Sequence, residues 1–153
     1  MQPSVEILRQ LLETVPAQLA ELSDVAAARK PSTGKWSAKE ELGHLLDSAA
    51  NNHQRIVRTV LEDRPAMPGY DQQRWVQLHV YQKRDWRELL DTWAALNRQL
   101  LTAAASASES DWTRMCTIAG GEPVTLKFVF EDYLAHMRHH LGHIETAGRA
   151  VSA

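Results

Sequence analysis

Four of the seven histidines of this 153-residue chain fall within eight positions, His136-Met137-Arg138-His139-His140-Leu141-Gly142-His143. Residues four apart on a helix share a face, with Cβ atoms roughly 5–6 Å apart, so two imidazoles at that spacing can grip one metal ion from a rigid base. Two such pairs exist, His136/His140 and His139/His143. The apolar residues Leu126, Val129, Phe130, Tyr133, Leu134, Met137, Leu141 and Ile144 mark the inner face of the helix they share. At about 100° per residue, His140 lies about 60° and His136 about 100° from the centre of that face, against about 120° for His143 and 160° for His139. The first pair therefore faces inward more. The competing reading is a His-rich polar face with no ligand.

A third ligand has to come from another element, and an earlier amphipathic run offers His44 and His53. Its apolar stripe of Leu42, Leu45, Leu46, Ala49, Ile56, Val57 and Val60 takes in His53. His44 falls almost opposite, beside Asp47, Asn51 and Arg55, on what is either a solvated face or the wall of a cleft. Periodicity alone prefers His53. Metal-ligating imidazoles also need acceptors that fix their tautomers, and Asp132, four residues before His136, and Asp47 are candidates that read equally well as surface carboxylates. The single cysteine, Cys116, has no His or cationic partner near it in sequence and reads as a small buried hydrophobe. No Ser-His-Asp or Cys-His arrangement is evident.

The elements that must position these residues are helices. Val5 to Leu22 carries apolar residues at helical spacing, with Pro16 expected to kink or restart the run. Arg29 to Lys35 is dense in turn formers. Ser37-Ala38-Lys39-Glu40 is a capping box, which starts a second helix near Ala38 that continues to about Glu62. Pro65, Pro68 and Gly69 break the chain, and Tyr70 to Tyr81 reads as a loop with a short helix around Trp75, in which Tyr70, Asp71 and Trp75 are candidates for a pocket mouth. Asp85 to Glu88 opens a third helix ending near Ala105, with Trp86 and Trp93 in the core. Gly120-Gly121-Glu122-Pro123 forces a turn, Thr125 caps a fourth helix from Leu126 to about Ala147, and Gly148 is its expected stop. No strand run competes. Phe128 falls opposite the inner face of the fourth helix.

Four long amphipathic helices predict an all-α fold, a four-helix bundle, over a single domain spanning 1–153. An apolar content of 44% can fill such a core. The net charge of −2 gives no general reason to hold a polyanion, so nucleic acid is not an expected partner. One cysteine excludes an internal disulfide framework and zinc fingers needing paired cysteines. Neither a leader-like start nor an apolar run near the ~18 residues of a membrane span is present, so a cytoplasmic protein without a membrane partner is expected.

The string Gly34-Lys35-Trp36-Ser37-Ala38-Lys39-Glu40-Glu41-Leu42-Gly43-His44-Leu45-Leu46-Asp47 resembles the first metal-binding motif of the DinB/YfiT-like superfamily, and His136 to Ile144 resembles the second. Arg84-Asp85-Trp86 and Ser108 to Trp112 are similar too, so the likeness runs from Lys30 onward. The resemblance implies the DinB/YfiT-like bundle and one divalent ion held by His44, His136 and His140. Zinc or nickel is the first expectation, with iron, copper or manganese as further options. Many members have Gln where this chain has His143, which brings a possible fourth imidazole, or a supporting one, near the ion. The resemblance further implies a homodimer. It also implies a metal-dependent thiol S-transferase or hydrolase that uses a low-molecular-weight thiol or water against a small electrophilic substrate. The alternative is a non-catalytic metal-binding or stress-response protein. Three imidazoles leave a tetrahedral position open, as catalysis requires.

Overall fold

Each long amphipathic run is preceded by a helix-starting residue, and in a computed structural model describing residues 2–152, with side chains through 148, each forms a helix. Helix α1 spans Pro3–Ala20, with Pro3 in the first turn where an amide is dispensable. Pro16 sits inside it. The run neither stops nor restarts there, because Val5, Leu8 and Val15 are buried along one face and hold both halves to the core. A short helix, α2 (Asp24–Ala28), follows within the stretch before the turn-rich segment, its first turn capped by the Ser23 hydroxyl accepting from the Ala26 amide at 3.1 Å.

Helix α3 spans Ala38–Leu61 and starts on the expected capping box: Ser37 Oγ accepts from the Glu40 amide at 3.2 Å, and Glu40 Oε2 accepts from the Ser37 amide at 2.9 Å. Helix α4 (Gln72–His79) is capped by Asp71, and a 3-10 turn at Tyr81–Lys83 leads to α5 (Trp86–Ser106), capped by Asp85. Helix α6 (Leu126–Ser152) opens on Thr125, whose Oγ1 accepts from the Phe128 amide at 3.1 Å. Gly148 does not end α6. It lies in the helix interior, close enough to Leu22 that a Cβ there would stand 3.6 Å from the Leu22 Cδ1.

Three short strands also form, contrary to the all-helical reading of the connections. β1 (Ala66–Met67) pairs parallel with β2 (Met115–Ile118), and β2 pairs antiparallel with β3 (Val124–Thr125). Strands of two to four residues are too short to leave an alternating pattern in sequence. They enclose a small apolar cluster of Met67, Cys116 and Val129, which is where the lone cysteine is buried.

Helices α1, α3, α5 and α6 make the bundle, with α3 packed against both α5 and α6. Trp93, Phe130, Tyr133, Leu42, Leu45 and Leu89 are all at most 1% exposed in its core. Burying such side chains stabilises by about 1.5–3 kcal/mol each, well above an exposed ion pair, so this apolar seam fixes how α3 and α6 lie. Arg114 sets their register. Its guanidinium donates to the Thr59 carbonyl at 2.7 Å and the Glu62 carbonyl at 2.6 Å, while its own carbonyl accepts from the Leu126 amide at 2.8 Å. The end of α3 is thereby tied to the start of α6, and the helices run antiparallel. His44 is 15 residues before Thr59 and His140 is 14 after Leu126, so equal lengths of helix bring them level. Among the described residues no helix is long and apolar enough to cross a membrane.

Candidate metal centre

His44 is fully buried where α3 meets α6, and His136 and His140 are half-buried on the facing side of α6. The three present ligand nitrogens that all lie within 4.8 Å of one another. His44 Nε2 and His136 Nε2 stand 2.9 Å apart, and the His140 ring centroid is 4.4 Å from that of His44 and 4.5 Å from that of His136. Nitrogens bound to a tetrahedral ion at about 2.0–2.1 Å would stand roughly 3.4 Å apart, so the cluster needs little movement to meet on one ion. Neither His53, half-buried on α3, nor His139, exposed on α6, belongs to this group.

The surroundings set the histidine protons in a way that fits a metal. Glu41 Oε2 lies 2.6 Å from His140 Nδ1, a carboxylate acceptor that holds the proton there and leaves the Nε2 lone pair free. Ser48 Oγ stands 3.4 Å from His136 Nδ1, where its hydroxyl can either donate or accept. His44 Nδ1 is buried with no protein partner. Burial and the neighbouring His140 and His136 hold the His44 imidazole neutral down to about pH 3. Burial and His140 likewise lower His136 to about 4, with Asp132 pulling the other way. Three neutral imidazoles whose ligand nitrogens lie this close together are a donor set that one shared cation would satisfy. The residues fit a divalent ion on this ground.

The three residues expected to support the triad, Asp132, Asp47 and His143, sit differently around it. Asp132 is exposed, and its charge reaches His136 one turn away. Asp47 is buried, yet its carboxylate turns from the triad to Tyr81, whose hydroxyl it accepts at 2.6 Å, and to His79. His143 lies outside the triad, with its Nδ1 3.2 Å from Glu41 Oε1, and together with Glu41 and His140 it makes a second group whose ligand atoms all lie within 4.8 Å of one another. Glu41 is the residue that spacing did not single out. It precedes His44 by three on one helix face, a signal that gains meaning only once His44 is placed inward. Trp36 covers one end of the cluster, its ring 5.0 Å from His44 and 6.4 Å from His140. Tyr70 meets Trp75 with its ring tilted by 58° at 5.2 Å, whereas Asp71 caps α4.

Fold and site together define a four-helix bundle with a histidine triad suited to a divalent ion. The chain belongs to the DinB superfamily, which it matches over residues 6–144. Among its relatives, YfiT of Bacillus subtilis, whose name marks it as a candidate metal-dependent hydrolase, is 28% identical over 154 aligned positions, covering 93% of this chain and 83% of the relative. A Bacillus licheniformis protein of the same description is 29% identical over 146 positions, covering 90% and 79%. The solved structure of YfiT, a four-helix bundle, aligns with a TM-score of 0.84 at 24% identity over 99% of this chain and 90% of its own. A mycothiol-dependent maleylpyruvate isomerase shares the fold at a TM-score of 0.72 and 12% identity, over 90% of this chain and 57% of its own.

Proposed function

We propose that this chain binds one divalent ion, zinc or nickel first, through His44, His136 and His140, and acts as a metal-dependent hydrolase or thiol S-transferase on a small electrophilic substrate. The observation that carries this reading is the convergence of three imidazoles, with Glu41 placed to accept the Nδ1 proton of His140 and so leave its Nε2 lone pair for an ion. A bound ion with an open position supplies an acidified water or thiol at neutral pH, which offsets the absence of a serine or cysteine nucleophile. Glu41 and His143 keep His140 in register as charge builds at the site. Trp36 limits approach from one end, and the half-buried His136 and His140 leave an opening to solvent. The hydrolase description of the relatives supports the water-using form.

The reading is tested with the cobalt-substituted protein. Azide or a small thiol should shift its visible absorption, as an exchangeable position requires. A spectrum indifferent to both would replace this reading with that of a non-catalytic metal-binding protein.

A further inference from the structure

The triad takes two of the four histidines of α6, His136 and His140. Of the other two, His143 belongs to the second group, in which Glu41, His140 and His143 present ligand atoms within 4.8 Å of one another. Glu41 stands between the two rings, with Oε2 2.6 Å from His140 Nδ1 and Oε1 3.2 Å from His143 Nδ1. Its side chain is 10% exposed, and both oxygens are partnered by imidazoles. Burying a carboxylate is costly unless positive charge accompanies it. An imidazole supplies that charge only when protonated, whereas a metal ion carries it always.

The distances suit an ion. Oxygen and nitrogen donors held by one tetrahedral ion at about 2.0–2.2 Å stand roughly 3.3–3.6 Å apart. Glu41 Oε1 and His143 Nδ1 are already close to that spacing. The His140 contact is shorter because a proton occupies it, and about 1 Å of opening would let an ion take the proton's place. His140 then offers one nitrogen to each side, Nε2 to the triad and Nδ1 to Glu41. The His143 side chain is 48% exposed, which gives the ion a path from solvent.

We propose that Glu41, His143 and Nδ1 of His140 form a second divalent-cation site, joined to the triad by the His140 ring. This rests on the reading above, in which the triad holds the first ion. The triad fills first, because it binds through lone pairs and no proton has to be lost. An ion on His140 Nε2 acidifies the N–H across the ring. The second ion displaces that Nδ1 proton to solvent and bonds to the nitrogen it leaves, so the ring becomes an imidazolate bridging two cations. Ions on opposite nitrogens of one ring stand roughly 6 Å apart, farther than the about 3.5–4 Å at which two metals clamp one substrate. The second ion therefore tunes the first through the shared ring.

The test titrates the metal-free full-length chain with copper(II), which nitrogen and oxygen sites bind tightly and whose unpaired spin reports a neighbouring copper. Copper retained through gel filtration is counted, and the electron paramagnetic resonance signal is recorded on the same samples at low temperature. The first equivalent should give one bound copper with its full signal. The second should raise the count to two and abolish the signal, because spins joined by an imidazolate pair antiferromagnetically. His143→Ala and Glu41→Gln should stop at one copper with the signal intact, whereas His139→Ala should behave as the wild type. The competing location is the exposed pair His139 and His143, whose ring centroids are 4.4 Å apart. Two coppers with a doubled signal, or a second copper lost in His139→Ala and kept in Glu41→Gln, would place the ion there and overturn the proposal. A wild type that stops at one copper would overturn the second site and leave the triad standing; one that binds none would overturn both.

Discussion

Glu41 joins two of the histidines of the candidate metal centre through one carboxylate. Its two oxygens face His140 Nδ1 at 2.6 Å and His143 Nδ1 at 3.2 Å, so one carboxylate orients a ligand and is itself held by a second imidazole. Glu41→Gln should weaken zinc binding by about 10–100-fold in a calorimetric titration; unchanged affinity would mean that His140 is oriented by packing alone. His44 carries the opposite cost. With its imidazole fully buried and one nitrogen unpartnered, the metal-free protein tolerates it at the expense of about 1–3 kcal/mol. The sign of its pH dependence follows from its lowered pKa, about 3 in the folded chain against an ordinary 6.5, with His136 at about 4. Between those values the unfolded chain binds more protons, so stability is fully present above about pH 6.5 and is lost as pH falls toward 4. In His44→Leu, metal-free urea unfolding should show a higher midpoint at pH 7 and a shallower decline toward pH 5. A decline as steep as that of the wild type would show that His44 does not set it. The i, i+4 histidine pair of α6 was legible from its spacing and its angle to the apolar face. His44 was not, because a single apolar stripe describes a helix with one packed face. α3 has two: the strip holding His44, Asp47 and Ser48 is buried as completely as the stripe holding Leu42 and Ile56.

At the scale of elements, the long helices were legible wherever a cap marked their start, as Ser37, Asp85 and Thr125 do. Gly148 misled because a glycine in a helix interior costs only about 1 kcal/mol relative to alanine, which continued packing of α6 against Leu22 can offset. Helix α2 and the strands escaped because five residues or fewer carry no period, and β1 finds its partner β2 far along the chain. The fit between α3 and the turn after α4 was also hidden. Gly43 is the contact point, with the Tyr81 ring lying where a side chain would be. Gly43→Ala should therefore destabilise the protein by about 1–3 kcal/mol in denaturant unfolding. Tyr81 would have to move, so the cost should come with loss of its bond to Asp47. A variant as stable as the parent would show that the ring gives way freely.

For the whole molecule, the bundle brings together what the chain keeps 92 residues apart, His44 and His136, and the Arg114 bridge and the α3–α6 seam fix that meeting. Phe128 remains 55% exposed on the outer face of α6, while His53 is half-buried. A homodimer covering Phe128 is the expected assembly. Light scattering at micromolar concentration should give twice the chain mass, and a monomer would leave that phenylalanine without a role. The centre itself is tested most directly by bound zinc in single-alanine variants. His44→Ala, His136→Ala and His140→Ala should each lose stoichiometric metal, whereas His53→Ala and His139→Ala should keep one ion per chain. Retention in His44→Ala together with loss in His53→Ala would contradict the triad and return the third ligand to the apolar stripe.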